Sequence, residues 1–199
     1  MKATGPVLHA RSRALPQTVA ALLVTALLAV WAAHALDSYL DPERRVPVVA
    51  LAPLIASAAI GTSLHSASAE LDRTAVRPWW RRRAAHLLAL TALAAALLPL
   101  AVLTSAQTFG PLAMIRNVLG CTGLTAAAAV VLGARLSWLP VFGYVSAVYL
   151  GVSGLTGNSL PPWAWLLQPA AGGTALTTAA VLFVAGGALY TVRGARATS

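Results

Sequence analysis

The sequence predicts an all-α, polytopic membrane protein of six transmembrane helices with both termini in the cytoplasm, and three observations carry that reading. Of 199 residues, 58% are hydrophobic and only 10% charged, far from the roughly 45–50% apolar and about 25% charged balance of a soluble domain. A soluble globule is excluded, and a mean hydropathy of +0.75 says the same. The charges fall in short windows separated by apolar stretches of about twenty residues, the length a helix needs to cross a bilayer. The third observation is the asymmetry of Lys and Arg, which are retained on the cytoplasmic side. Lys2, Arg11, Arg13, Arg73, Arg77, Arg81, Arg82, Arg83, Arg135, Arg193 and Arg196 fall on one side, eleven in all, against three on the other, Arg44, Arg45 and Arg116.

Windows of about nineteen residues place the spans at 16–36, 46–66, 84–104, 112–133, 138–156 and 174–192. The first follows Arg11 and Arg13 and ends near Trp31. A rival reading takes Arg11, Arg13, the apolar run and Ala33-His34-Ala35 as a signal peptide with its cleavage site. The run over 19–35 exceeds the usual 7–15 residues of such a segment, and Trp31 suits an interface anchor better. The spans leave no mass for a soluble domain, so residues 1–199 form a single transmembrane domain. The longest connections are a cytoplasmic loop over 67–83 and an external Pro/Trp-rich loop over 157–173.

Several function classes fall away. The +9 charge belongs to membrane topology, which argues against nucleic-acid binding. Cys121 is the lone cysteine and the four histidines are scattered, so no spacing points to a metal site. Lys2 is the only lysine, so a phosphate-binding GxxxxGK[ST] loop is impossible and the chain hydrolyses no nucleotide by that route. No intramembrane cluster of Asp, His or Ser offers a nucleophile with its base, and no residue is read as catalytic. No carboxylate lies mid-span, which argues against a proton-coupled carrier; His34, His65 and His86 fall near helix ends as interfacial residues. The bias to Ala, Leu and Arg looks like a high-GC bacterial genome, which places the chain in a bacterial plasma membrane.

Inside the spans, Arg116 and Asn117 sit about one turn from the external end of the fourth. Arg116 either snorkels to the headgroups or lines an outward cavity, paired there with Asp37 at the external end of the first span, so Arg116, Asn117 and Asp37 are the candidate pathway residues. Gly143, Ala147 and Gly151 in the fifth span form a stripe of small residues for helix packing, within the monomer or across a dimer. Gly120 and Gly123 in the fourth span and Gly186 and Gly187 in the sixth offer similar notches.

Two connections are informative. In the cytoplasmic loop Ser68 suits an N-cap, Glu70 and Asp72 favour the positive end of a helix dipole, and Pro78 disfavours helix at Arg77. A short helix results, on which Glu70, Asp72, Arg73, Thr74 and Arg77 suit docking to a soluble partner. Trp79, Trp80, Arg81, Arg82 and Arg83 then form an aromatic and cationic collar at the membrane interface. The external loop is too short and proline-rich to span; Trp163, Trp165, Leu166 and Leu167 prefer the interface, as a short interfacial or re-entrant helix.

This arrangement resembles the ABC-2-type permeases, the membrane subunits of a class of ABC exporters. The resemblance rests on six spans, cytoplasmic termini, and Glu70, Asp72, Thr74, Pro78, Arg81, Arg82 and Arg83 standing in the order of the family's loop between spans two and three. It implies that this loop is a coupling helix against a separate ATP-binding subunit, that permeases pair as a homodimer or heterodimer, and that a short re-entrant helix lies between spans five and six. ATP would be bound by the partner, with no cofactor in this chain. The alternative is a non-transporting membrane scaffold or assembly protein whose 68–83 loop binds another partner.

Overall fold

The computed structural model describes residues 15–39, 46–65, 79–103, 110–152, 160–169 and 172–196, and among these every regular element is helical. The α-helices are α1 (Leu15–Tyr39), α2 (Val46–Ser63), α3 (Trp79–Leu97), α4 (Pro111–Leu132), α5 (Leu139–Val152) and α6 (Gly173–Arg193). Short 3₁₀ turns lie at Leu98–Val102, Ala134–Leu136 and Pro162–Leu167. Four stretches are long and apolar enough to cross a membrane: Leu15–Ala35, Trp79–Val102, Pro111–Leu132 and Gly173–Arg193. The other two helices are shorter; at 1.5 Å per residue, the 14 residues of α5 extend about 21 Å, below the ~30 Å of a bilayer core.

Prolines and glycines set the boundaries. Pro111 occupies the first turn of α4, where a missing N–H costs nothing, with extended Gly110 as its cap. Pro99 cannot donate within α3, and there the helix tightens into the 3₁₀ turn. Both α4 and α6 stop at glycines in a positive-φ conformation, Gly133 (φ 86°) and Gly194 (φ 75°), whose N–H groups cap Ala129 and Tyr190. The third helix starts at Trp79, five residues before the expected span, so Trp79 through Arg83 are its first turns.

The core is built around α4. In its most apolar window 61% of the residues are buried, against 33% in the window of α1 and 22% in that of α6. One cluster packs α1, α2 and α3 against one side of α4, with Leu22, Ile60, Leu87, Met114 and Val118 at its centre. A second packs α5, α6 and the 162–167 turn against the other side, around Cys121, Val145, Val148, Trp165 and Leu166. The outer faces remain apolar: Leu27, Trp31, Leu150, Val181 and Val184 are all exposed, as helices that are apolar all round require when their surroundings are lipid. Polar side chains turn back on their own helices; the hydroxyls of Thr25, Ser57, Ser63 and Thr91 donate to carbonyls three or four residues earlier.

The tightest helix pair is α4 with α6. A methyl group added at Gly186 would collide with the Gly123 carbonyl, and one added at Gly123 with the backbone of Leu182. The two glycines let the backbones touch, the small-residue packing that replaces hydrophobic association in lipid. The fifth-helix stripe does something else: Gly143, Ala147 and Gly151 are exposed, and space is open around Gly143 while Gly151 meets only Trp163.

Candidate functional site

The end of the bundle where α4 and α6 begin is organised by two adjacent side chains of α4. Arg116 is 1% and Asn117 0% exposed. The guanidinium of Arg116 donates through Nη1 to the Pro169 carbonyl at 3.1 Å and through Nη2 to that of Gln168 at 2.8 Å. A longer contact of 3.4 Å reaches Leu166, and Nε donates to Asn117 Oδ1 at 3.1 Å. Asn117 Nδ2 donates to the carbonyls of Val49 and Leu166, each at 3.0 Å.

Each carbonyl needs a donor for a reason written in the sequence. The 162–167 segment begins and ends in extended backbone at Pro161 and Gln168 and is interrupted at Ala164 (φ −87°, ψ 33°), so it forms no continuous helix. Its last carbonyls have no helical partner, and non-helical backbone at membrane depth is tolerated only where protein satisfies it. The Val49 carbonyl is orphaned by Pro53, which lies inside α2 at the position whose N–H would have bonded it. Asn117 supplies the missing donor.

The same segment is gripped by its aromatic side. Trp165 is 3% exposed, fills the notch above Gly120, and stacks on Tyr144 of α5 with centroids 5.5 Å apart. The Tyr144 hydroxyl donates to the Trp163 carbonyl at 2.7 Å, and Gln168 Nε2 donates to the Pro161 carbonyl at 3.3 Å. Two helices, α4 and α5, and the segment's own ends therefore fix it as a plug packed into the bundle.

These positions correct several expectations. Arg116 neither snorkels nor lines an open cavity: it is spent on backbone carbonyls, and among the described residues no carboxylate touches it. The side chain of Asp37 lies outside the described residues. Trp165, Leu166 and Leu167 are buried in protein rather than resting at an interface, because the segment folds inward; Trp163 stays half exposed. His86 is buried and hydrogen-bonded to Ser63 Oγ at 3.1 Å, tying α3 to α2, where an interfacial histidine was expected. The docking residues Glu70, Asp72, Arg73, Thr74 and Arg77 lie outside the described residues.

At the opposite end, the collar residues lie on the first turns of α3. The guanidinium of Arg82 lies 5.1 Å from the Trp79 ring and that of Arg81 5.3 Å from the Trp80 ring. Each guanidinium thus lies within cation–π reach of a neighbouring indole. Between α1 and α2 runs an apolar cleft of about 230 Å³, lined by Thr25, Leu28, Ala32, Val48, Leu51 and Ile55 among others. Among the described residues no group of three or more His, Cys, Asp or Glu is placed to hold a metal ion.

What the sequence did not reveal is the pairing. Pro53 inside an apolar helix and an Arg-Asn pair inside another are both visible, but their meeting depends on the helix arrangement. Tyr144 and Gly120, which clamp Trp165, carried no local signal. Comparison with known proteins finds no family model, curated protein or solved structure that matches this chain.

Proposed function

We propose that the protein is the transmembrane permease subunit of an ABC-type exporter in a bacterial plasma membrane, with six spans and both termini in the cytoplasm. The observation that supports this most is the Pro/Trp segment between α5 and α6. It folds back into the bundle at the end opposite the arginine collar and is held by α4 and α5, in the place where the permease resemblance expects a re-entrant element. Six helices in alternating directions, with the arginine-bearing turns at one end, fit the same topology.

In this reading a separate ATP-binding subunit docks on the 67–83 loop through Glu70, Asp72, Arg73, Thr74 and Arg77. Its nucleotide-driven movement is passed to α2 and α3, which the loop joins. The Ser63–His86 bond couples those two helices at the loop's base. The largely apolar walls, including the α1–α2 cleft, suit an amphipathic substrate.

The test is affinity purification of the tagged protein from its native membrane in mild detergent, with mass spectrometry and an ATPase assay on the same fraction. A nucleotide-binding subunit should co-purify, and Glu70→Ala or Arg73→Ala should abolish stimulation of its ATPase while leaving membrane insertion intact. A preparation without an ATPase subunit would replace the permease reading with that of a scaffold.

A further inference from the structure

The cleft between α1 and α2 is lined at one spacing on both of its helices. On α1 the lining residues are Thr25, Leu28, Ala29 and Ala32. On α2 they are Val48, Leu51, Ala52 and Ile55. Each set stands at i, i+3, i+4 and i+7, a single helix face followed over two turns. At 1.5 Å per residue the cleft runs about 10 Å along the helices, roughly two-thirds of the ~15 Å hydrocarbon depth of one leaflet. It begins at the end of the bundle that holds the plug, because Val48 adjoins Val49, whose carbonyl is bonded by Asn117.

The hollow comes from small residues set between large ones. Ala29 and Ala52 are buried at its floor, while Leu28, Leu51 and Ile55 stand exposed along its rim. The one hydroxyl in the lining, that of Thr25, is turned back on the Ala21 carbonyl, and no lining residue carries a charge. A polar ligand therefore finds no donor aimed at it, whereas an empty apolar hollow forfeits the dispersion contacts that its walls could make. At about 230 Å³ the space exceeds the ~150 Å³ of an engineered apolar cavity that takes up benzene. It falls short of the ~300 Å³ at which sites for whole drug-sized ligands begin. A narrow, linear, uncharged occupant is what this shape accepts.

We propose that the α1–α2 cleft holds one acyl chain of a membrane phospholipid from the leaflet on the plug's side. Continuity selects this occupant: the rim residues Leu28, Leu51 and Ile55 belong to the same apolar outer surface as Leu27 and Trp31, which the membrane-crossing length and composition of α1 turn toward lipid. The chain lies parallel to the two helices with its headgroup outside the cleft at the plug's end. This site rests on the membrane-embedded part of the reading above and not on transport. Its test needs no ATPase subunit, so acyl-chain binding and the permease reading can fail independently.

The experiment reconstitutes the full chain in phosphatidylcholine vesicles containing a small fraction of phosphatidylcholine with a diazirine midway along one acyl chain. After irradiation, tandem mass spectrometry of peptides locates the label. Label on Leu28 and Ile55 should exceed that on Leu27 and Val181 by about threefold or more, although Leu27 and Val181 are the more exposed, at 70% and 65% against 57% and 50%. Ala32→Phe and Ile55→Phe, which fill the cleft from its two ends, should each bring Leu28 down to the level of Leu27. Leu27→Phe, outside the cleft, should leave the enrichment at Leu28 unchanged. Labelling in simple proportion to exposure, or an enrichment at Leu28 that survives both filling variants, would overturn the proposal. So would label on Leu28 and Ile55 below that on Leu27, the result expected where a second copy of the chain occupies the cleft.

Discussion

Asn117 should matter to α2 only because of Pro53, and that dependence can be measured. Replacing Asn117 by Leu removes both Nδ2 bonds, to Val49 and Leu166. The Leu166 carbonyl keeps its longer contact with Arg116, whereas that of Val49 is left with no donor, because Pro53 has none to give. A buried carbonyl left unpaired costs about 1–3 kcal/mol, and hydrogen bonds between membrane helices average about 0.6 kcal/mol with a maximum near 1.7. A loss of about 1 kcal/mol at Val49 is the consistent value, worth roughly 2–4 °C in Tm for a chain of this size. In Pro53→Ala the new N–H serves the Val49 carbonyl, so Asn117→Leu there loses only its bonds at the other end. The double variant should therefore be about 1 kcal/mol less destabilised than the two single variants summed. Thermal unfolding of the four proteins in one detergent supplies the cycle. A coupling of zero, or one of opposite sign, would refute the idea that Asn117 substitutes for the proline's missing donor.

Two further outcomes follow from the same geometry. Arg116→Met should orphan the Gln168 carbonyl at about 1–3 kcal/mol, while that of Pro169 keeps the Gly172 N–H, and the cost is partly offset by removing a buried charge; a cysteine placed at Gly172 should then react faster with a polar maleimide, and an unchanged rate would mean the segment is held without Arg116. Gly186→Val should unseat α6 from α4 and abolish a cooperative melt, while Gly143→Leu, with open space around it, should leave the melt of the monomer within about 1 °C, as surface substitutions do. If the exposed α5 stripe joins two copies, Gly143→Leu should also shift the protein from dimer to monomer in analytical ultracentrifugation.

The helices were legible because their evidence is local. Apolar length marks each one, and Pro111, Gly133 and Gly194 punctuate them within a residue or so of the expected bounds. The start of α3 was misplaced because Arg81, Arg82 and Arg83 read as a loop in a hydropathy window, although their stems are compatible with helix and their charges reach the interface from its first turns. The packing role of Gly123 and Gly186 was visible only as a notch in each helix, and nothing local said that one notch fits the other. The external segment was read as an interfacial or re-entrant helix because tryptophan and leucine favour the interface and proline forbids a span. Its inward fold depends on partners far along the chain: Gly120 to admit Trp165, Tyr144 to stack on it, and Arg116 to hold its carbonyls.

The Arg116 site shows why an intramembrane charge had two opposed readings and satisfies neither. A guanidinium in an apolar interior needs several acceptors, and a proline-interrupted segment at that depth needs several donors; neither is tolerable alone. Brought together, the fork of Arg116 spans the carbonyls of Gln168 and Pro169, and adjacent Asn117 reaches Leu166 on one side and Val49 on the other. Two incomplete backbone hydrogen-bond ladders, that of α2 at Pro53 and that of the plug, are thus tied to the same turn of α4. A movement of α2 at its Pro53 turn cannot leave the plug undisturbed unless Asn117 releases one of its two carbonyls. That mechanical link joins the helix that leads into the proposed docking loop to the segment closing the opposite end of the bundle, and it runs through two consecutive residues.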